Sequence, residues 1–371
     1  MHTAGIIALG LSGLLLLAQT KTESDSSFTA LAANASQARD SDHLEEAAAL
    51  YKKALALRPA WAEGWWYLGT LLYDQDAYAA AASALHKLVL LRPQDGNAFA
   101  MLGLSEVKLR RNQDALAHIQ KGRHLGLSDD PRLRSAAMYN EGMLLLETGA
   151  FEQAQETLDA LCREGVDQPE LIMGLGSAVL GIPPSKMPPG DKSIRDMLWQ
   201  AGWAEHFAAQ RDQLAEALRE YQRLAADFPK AHNVQFAYGR FLLDKHYDAE
   251  AVEAFSRELQ NSPSHLLARL GIAAIEERTD PAAGLPYAEE AVKLNPKLAE
   301  GHYLLGMLLL DTGDAARAIT ELETAQRSTP DDPRIYFGLG RAYAKVHRDQ
   351  DAARAREIFA RLNKGSEEDR K

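Results

Sequence analysis

One period constrains this chain more than any other feature. Pro59 and Pro93 lie 34 residues apart, as do Pro229 and Pro263, and Pro296 and Pro330; Pro263 and Pro296 lie 33 apart. Proline lacks an N–H and clashes with the preceding helical turn, so each of these marks a helix end. Between them the sequence repeats itself. "AEGWWYLGTLLYDQDAYAAAASALHKLVLLRP" from Ala62 and "AEGHYLLGMLLLDTGDAARAITELETAQRSTP" from Ala299 share an aromatic or His at the fourth place, then Leu-Gly, an Ala near the middle, a Leu four residues on, and a closing Pro. Ala47, Ala81, Ala115, Ala154, Ala217, Ala251, Ala318 and Ala352 recur at one site, and Tyr51, Leu85, Ile119, Leu158, Tyr221, Phe255 and Leu322 follow four residues later. That spacing puts a small and a large apolar residue on one helix face. Gly69, Gly103, Gly142, Gly239, Gly306 and Gly340 hold a second small site earlier in the unit, and "DTGD" and "ETGA" punctuate the middle. Each period therefore reads as two helices and a turn. Such a hairpin cannot bury its apolar face alone and must stack on its neighbours.

These residues and this period resemble the tetratricopeptide repeat (TPR). The resemblance implies an all-α, right-handed α-solenoid of stacked helical hairpins. Units begin near Phe28, Ala62, Gly96 and Ser135, and again near Leu198, His232, His265, Ala299 and Pro333. "QPELIMGLGSAVLG" (Gln168 to Gly181) reads as the first helix of one more unit. The expected organisation is an N-terminal apolar segment with polar linker (1–27), a front array (28–181), a Pro-rich insertion (182–197), a rear array (198–364) and a polar tail (365–371). The unit from His265 departs from the pattern, with Gly284 near the small site and Pro286 at the start of its second helix.

The insertion, "GIPPSKMPPGDK" from Gly181 to Lys192, stands where the second helix of the Gln168 unit belongs. A rigid polyproline spacer, a hinge and a binding loop for a proline-reading partner are all compatible with it.

Charge and motif content narrow the function. A net charge of −11 argues against nucleic-acid binding, which needs a basic footprint. The single cysteine, Cys162, makes neither an internal disulfide nor a zinc site. No phosphate-binding glycine loop, nucleophile elbow, HExxH, EF-hand or CxxC is present, and the histidines are scattered. No enzyme, cofactor or metal is expected. "AGIIALGLSGLLLLA" (Ala4 to Ala18) is shorter than the roughly 20 residues of a spanning helix and fits the core of an export signal, or failing cleavage an anchor. The expected location is extracytoplasmic, periplasmic or secreted, with membrane contact only through that segment.

By the family resemblance, the first helices line a concave surface that takes protein or peptide segments, through the second, fifth, ninth, twelfth and thirteenth positions of each unit. In the front array these positions hold Trp66, Thr70, Tyr73, Leu104, Lys108, Tyr139 and Met143, an aromatic and weakly charged wall. In the rear array they hold Trp199, His206, Asn233, Phe236, Arg240, Arg269, Tyr303, Met307, Arg334, Phe337 and Arg341. Four arginines interleaved with aromatics suit a partner with acidic and apolar side chains. Equally, those arginines can pair internally with Asp244, Glu276, Glu277, Glu300 or Asp311. The Lys/Asn carboxylate clamp of chaperone-binding TPR proteins is not matched, since Ala32, Ser36, Trp66 and Thr70 stand there. The resulting expectation is a non-enzymatic interaction scaffold. An assembly factor of a bacterial envelope complex, or a regulatory subunit of an enzyme on another chain, remains an alternative.

Overall fold

The structure, a computed structural model, describes residues 25–128, 130–186 and 190–368. The apolar run at Ala4 to Ala18, and the export or anchoring role expected of it, lie outside these residues. Among the described residues the fold is all-α, with no strand. In chain order the helices begin with α1 (residues 25–40), α2 (Leu44–Leu57), α3 (Ala62–Asp74), α4 (Tyr78–Leu91), α5 (Gly96–Lys108), α6 (Asn112–Leu125), α7 (Pro131–Thr148), α8 (Phe151–Arg163) and α9 (Pro169–Leu180). After a 3-10 turn at Pro184–Lys186 come α10 (Lys192–Ala208), α11 (Leu214–Asp227), α12 (Val234–Asp244), α13 (Asp248–Asn261), α14 (Leu266–Thr279), α15 (Pro281–Leu294), α16 (Ala299–Asp311), α17 (Ala315–Ser328), α18 (Pro333–Lys345) and α19 (Asp349–Glu368). The chain divides into two compact units. The first runs to Ala178 and includes Ile182–Pro188; the second holds Val179–Gly181 and everything from Pro189.

Within each unit, consecutive helices form antiparallel hairpins, and each hairpin packs on the next. The recurring alanines Ala47, Ala81, Ala115, Ala154, Ala217, Ala251 and Ala318 are fully buried, as are Tyr51, Leu85, Ile119, Leu158 and Leu322 one turn on. Each fully buried Leu or Ile contributes about 1.5–3 kcal/mol of transfer free energy. α9 has no second helix. In the first unit, Ser185 of the Pro-rich stretch donates its N–H to Glu147 Oε1 at the end of α7 (3.1 Å).

Two recurrent devices close the repeats. At seven of the turns inside hairpins, all but those of α10–α11 and α14–α15, one residue is left-handed: Asp42, Asp76, Arg110, Gly149, His246, Gly313 and His347. The residue after it donates its N–H five residues back, as in His43 to Ala38 O, Ala77 to Leu72 O and Tyr247 to Leu242 O. This is a Schellman closure, and it satisfies carbonyls orphaned at the end of the first helix. At three links between hairpins the fourth-position side chain ties the next helix to the proline. Trp65 Nε1 donates to Pro59 O (2.8 Å), Tyr336 Oη to Pro330 O (2.8 Å), and His302 Nε2 lies 3.0 Å from Pro296 O. That bond accounts for the ring N–H or O–H that Trp65, His302 and Tyr336 bring to this position.

Three local boundaries differ from the sequence expectation. Residues 192–197, assigned to the insertion, are helical, because Asp191 caps α10 by accepting the Ile194 N–H (3.1 Å). α19 runs on to Glu368, past the expected tail boundary at 364. Pro286 lies inside α15, which starts five residues earlier at Pro281, capped by Asp280.

Candidate partner-binding surface

First helices of successive hairpins approach one another closely, α3 with α5, α5 with α7, α14 with α16 and α16 with α18. The second helices, such as α4 and α6 or α15 and α17, stay farther apart. Within each unit the first helices therefore form the inner side, and their solvent-facing residues line it.

In the first unit, Trp66 is half-buried against the cluster of Leu85, Leu88 and Phe99. Tyr73 sits edge-on to Tyr78 (5.3 Å), and burial with the Asp74 and Asp76 charges pushes its phenol up. Lys108 Nζ lies over the Tyr78 ring (5.9 Å). Tyr139 lines a cavity of about 540 Å³ with Pro131, Arg132, Ser135, Val166 and Leu171; burial and the Glu170 charge push its phenol up. Met143 packs on α9 at Gly174. Leu104 is a correction. It is only 4% exposed and belongs to the core with Ala100, Ala115, Ile119 and Ala137, so it lines nothing.

In the second unit, the inner face of α14, α16 and α18 carries a mixed-charge ladder. Arg334 binds Glu300 (2.9 Å) and Asp332 (2.7 Å) and lies over the Tyr303 ring (4.7 Å). Arg341 binds Asp311 (2.6 Å) and lies 5.8 Å from the Phe337 ring centroid. Glu277 on α14 faces this group: burial and the Asp311 carboxylate push its carboxyl up, and Arg278, Arg341 and Arg334 oppose the shift. Burial and the Glu277 charge push the Tyr303 phenol up to about 12. Phe337 is 49% exposed and touches Phe359 at a centroid distance of 5.7 Å. Arg334 and Arg341 thus have the internal carboxylates that the sequence allowed as an alternative.

The remaining expected residues hold structural positions or edges. Arg269 donates to the Pro263 carbonyl, an interhelix tie like that of Trp65. Asn233 is left-handed; its Nδ2 donates to Leu180 O (2.7 Å), its N–H to Glu258 Oε1 (3.1 Å). Phe236 stacks obliquely on His265 (4.6 Å), and Arg240 is half-buried. His206 and Met307 are corrections: both are buried, at 5% and 4% exposure. His206 is held edge-on to Trp203 (5.1 Å) and bonded to Gln210 Nε2 (2.8 Å).

Position-by-position reading missed one feature. Trp199, Trp203 and Phe207 form an aromatic ladder on α10 and line a cavity of about 680 Å³ with α11. Its signal in the sequence is the i, i+4, i+8 spacing in "WQAGWAEHF". Among the described residues no group of His, Cys, Asp and Glu could hold a metal ion, and no helix is long and apolar enough to cross a membrane.

Comparison with known proteins adds the family. A comparison with curated proteins found no match. Among solved structures, MamA is similar at 18% identity over 42% of this chain and 92% of that one (TM-score 0.39), and MamA from Desulfovibrio magneticus RS-1 at 22% over 44% and 94% (TM-score 0.39). YrrB, described as a TPR protein with an unusual peptide-binding site, is similar at 18% over 43% and 84% (TM-score 0.39). The family model for the tetratricopeptide repeat matches residues 33–98, 100–169, 202–265, 269–333 and 303–366. It passes over 170–201, the stretch that holds α9, the prolines and the start of α10. With matches along most of its length, and with the hairpin array built as described, this chain belongs to the tetratricopeptide-repeat family.

Proposed function

We propose that this TPR protein is an interaction scaffold that seats a peptide or helical segment of a partner on the inner face of α14, α16 and α18. The observation that supports this site is Phe337, a large apolar side chain half in solvent between two arginines. An exposed aromatic beside guanidinium groups is the composition of a binding hot spot. The internal pairing of Arg334 and Arg341 does not block a carboxylate on the partner. Solvent-exposed ion pairs contribute only about 0–1 kcal/mol, so Glu300 or Asp311 can yield to an incoming acidic group at little cost. The segment we propose therefore carries an apolar anchor for Phe337 and an acidic residue nearby. Quantitative affinity capture with the wild-type chain and with Phe337→Ala/Arg341→Glu tests the site. The reading expects specific partners lost from the double variant; identical recovery would refute it.

The same scaffold role outside the cytoplasm is our reading of location, supported by the apolar run at Ala4 to Ala18. It would place the protein among assembly factors of an envelope complex. A reporter fused after residue 35 that stays inside the cell would refute it.

A further inference from the structure

We propose that the cavity between α10 and α11 is a second docking site, which takes a basic amphipathic helix of a partner protein. Its lining includes none of the residues of the inner wall of α14, α16 and α18.

In α18, Gly338 holds the sixth position of its unit; a Cβ there would meet Met307 of α16 at 3.0 Å and Leu322 of the preceding second helix, α17, at 3.1 Å. In α16, Leu308 holds the tenth position and lies against Gly284 of α15, again the preceding second helix. The sixth and tenth positions of a first helix therefore face the second helix of the hairpin before it. In α10 those positions are Trp203 and Phe207. α10 opens the second unit, and among the described residues no hairpin precedes it there and the Pro-rich stretch holds no second α-helix. The face that elsewhere receives a helix is instead open as a cavity of about 680 Å³, with Trp199 (38% exposed) at its edge and Phe228 at its end.

The charge of the rim selects the occupant. Asp196, Glu220 and Asp227 line the cavity against one cation, Arg223, which is within 3.6 Å of Asp227. Asp227 also accepts from Gln200 Nε2 (3.1 Å). A helix whose apolar stripe covers Trp203 and Phe207 brings its flanking side chains to this acidic rim. Lys or Arg at those flanks gains ion pairs and cation–π contact with the indoles, whereas Asp or Glu meets like charge. The apolar stripe needs residues of Leu or Phe size, as the chain's own second helices supply through Leu322 and Phe255.

The test uses the full chain and two capped peptides of about 18 residues, long enough for partial helicity in water. Both carry Leu at helical i, i+3, i+4 spacing over Ala; one has Lys on its flanks, the other Glu. Tryptophan fluorescence and calorimetry at low salt report binding. The expected result is one Lys peptide per chain, bound about five- to tenfold more tightly than the Glu peptide, as two or three exposed ion pairs allow. Asp196→Lys/Glu220→Lys reverses the preference, and Trp203→Ala weakens both peptides. Asp196 is exposed and Glu220 half-exposed, so the charge variant keeps the fold even where the Trp203 variant does not. Absence of binding, equal affinity for the two peptides, or Lys-peptide affinity unchanged by the charge reversal would overturn the proposal. So would concentration-dependent self-association of the wild type that the charge variant abolishes, since a second copy would then be the occupant. Phe337→Ala/Arg341→Glu binds the Lys peptide normally, which separates this site from the inner wall.

Discussion

His265 caps α14, and its removal provides a local measure of how one hairpin is held to the next. Its Nδ1 accepts the Ala268 N–H (3.1 Å), so the ring hydrogen sits on Nε2 and donates to Asn233 Oδ1 (2.9 Å). Both nitrogens are used only in the neutral ring. His265→Ala removes the cap, worth about 0.5–2 kcal/mol, and the bond to Asn233, worth about 1 kcal/mol. His265→Asp restores the cap alone. The ring also titrates. Burial lowers its pKa, the Glu258 carboxylate partly opposes this, and the nearby His232 reinforces it. The folded state then binds fewer protons than the unfolded chain at this site. Its stabilisation is complete above the ordinary histidine pKa of about 6.5 and is lost as pH falls toward the folded value. Repeat arrays open piecewise, so the assay is amide hydrogen exchange of the first turn of α14, followed at pH 8 and pH 5, with urea midpoints as a global check. The wild type should lose protection at Ala268 and Arg269 on acidification. His265→Ala should be unprotected at both pH values, and His265→Asp should change little between them. Equal protection in wild type and His265→Ala at pH 8, or no pH response in the wild type, would refute the cap.

Two other substitutions probe the packing directly. A Cβ at Gly122 would lie 2.7 Å from Gly96 O and 2.8 Å from Ala100 N, backbone atoms that cannot swing aside. Gly122→Ala should therefore lower the stability of the first unit by about 1–3 kcal/mol, read as a shifted urea midpoint. Glu258 is fully buried and accepts the N–H groups of Asn233 (3.1 Å) and Phe236 (3.2 Å) at the start of α12. Glu258→Ala leaves both donors unpaired and should cost about 2–5 kcal/mol; a melting temperature equal to wild type would show that water replaces the carboxylate.

Much of the fold was legible because each repeat carries its own redundant marks. Ala318 and Leu322 name a core face on their own, and Ala251 with Phe255 names the same face again. The inner wall was less legible because assigning it by position assumes that each inward position meets solvent in every unit. The ninth position breaks that assumption: His206 and Met307 hold it in their units and are buried, whereas Arg341 at the same place is partly exposed. Leu104 fails for a related reason, since it faces the next hairpin's Ala137 and Leu144. The pairing of Arg334 was hidden by a local cause. Asp332, two residues before it, both caps α18 and holds the guanidinium. The cavity on α10 was illegible because a helix that is absent leaves no residues to read.

The left-handed turns carry a consequence for how this protein can change. Asp42, Asp76, Arg110, His246 and His347 hold a backbone shape that costs an L-residue about 1–2 kcal/mol, where Gly149 and Gly313 adopt it without that strain. The cost is spread over five hairpins and confined within each one. Exchange of any of these residues for glycine adjusts a single joint without disturbing core or inner wall, so the solenoid can be stiffened or loosened segment by segment, like a chain whose links are tensioned separately.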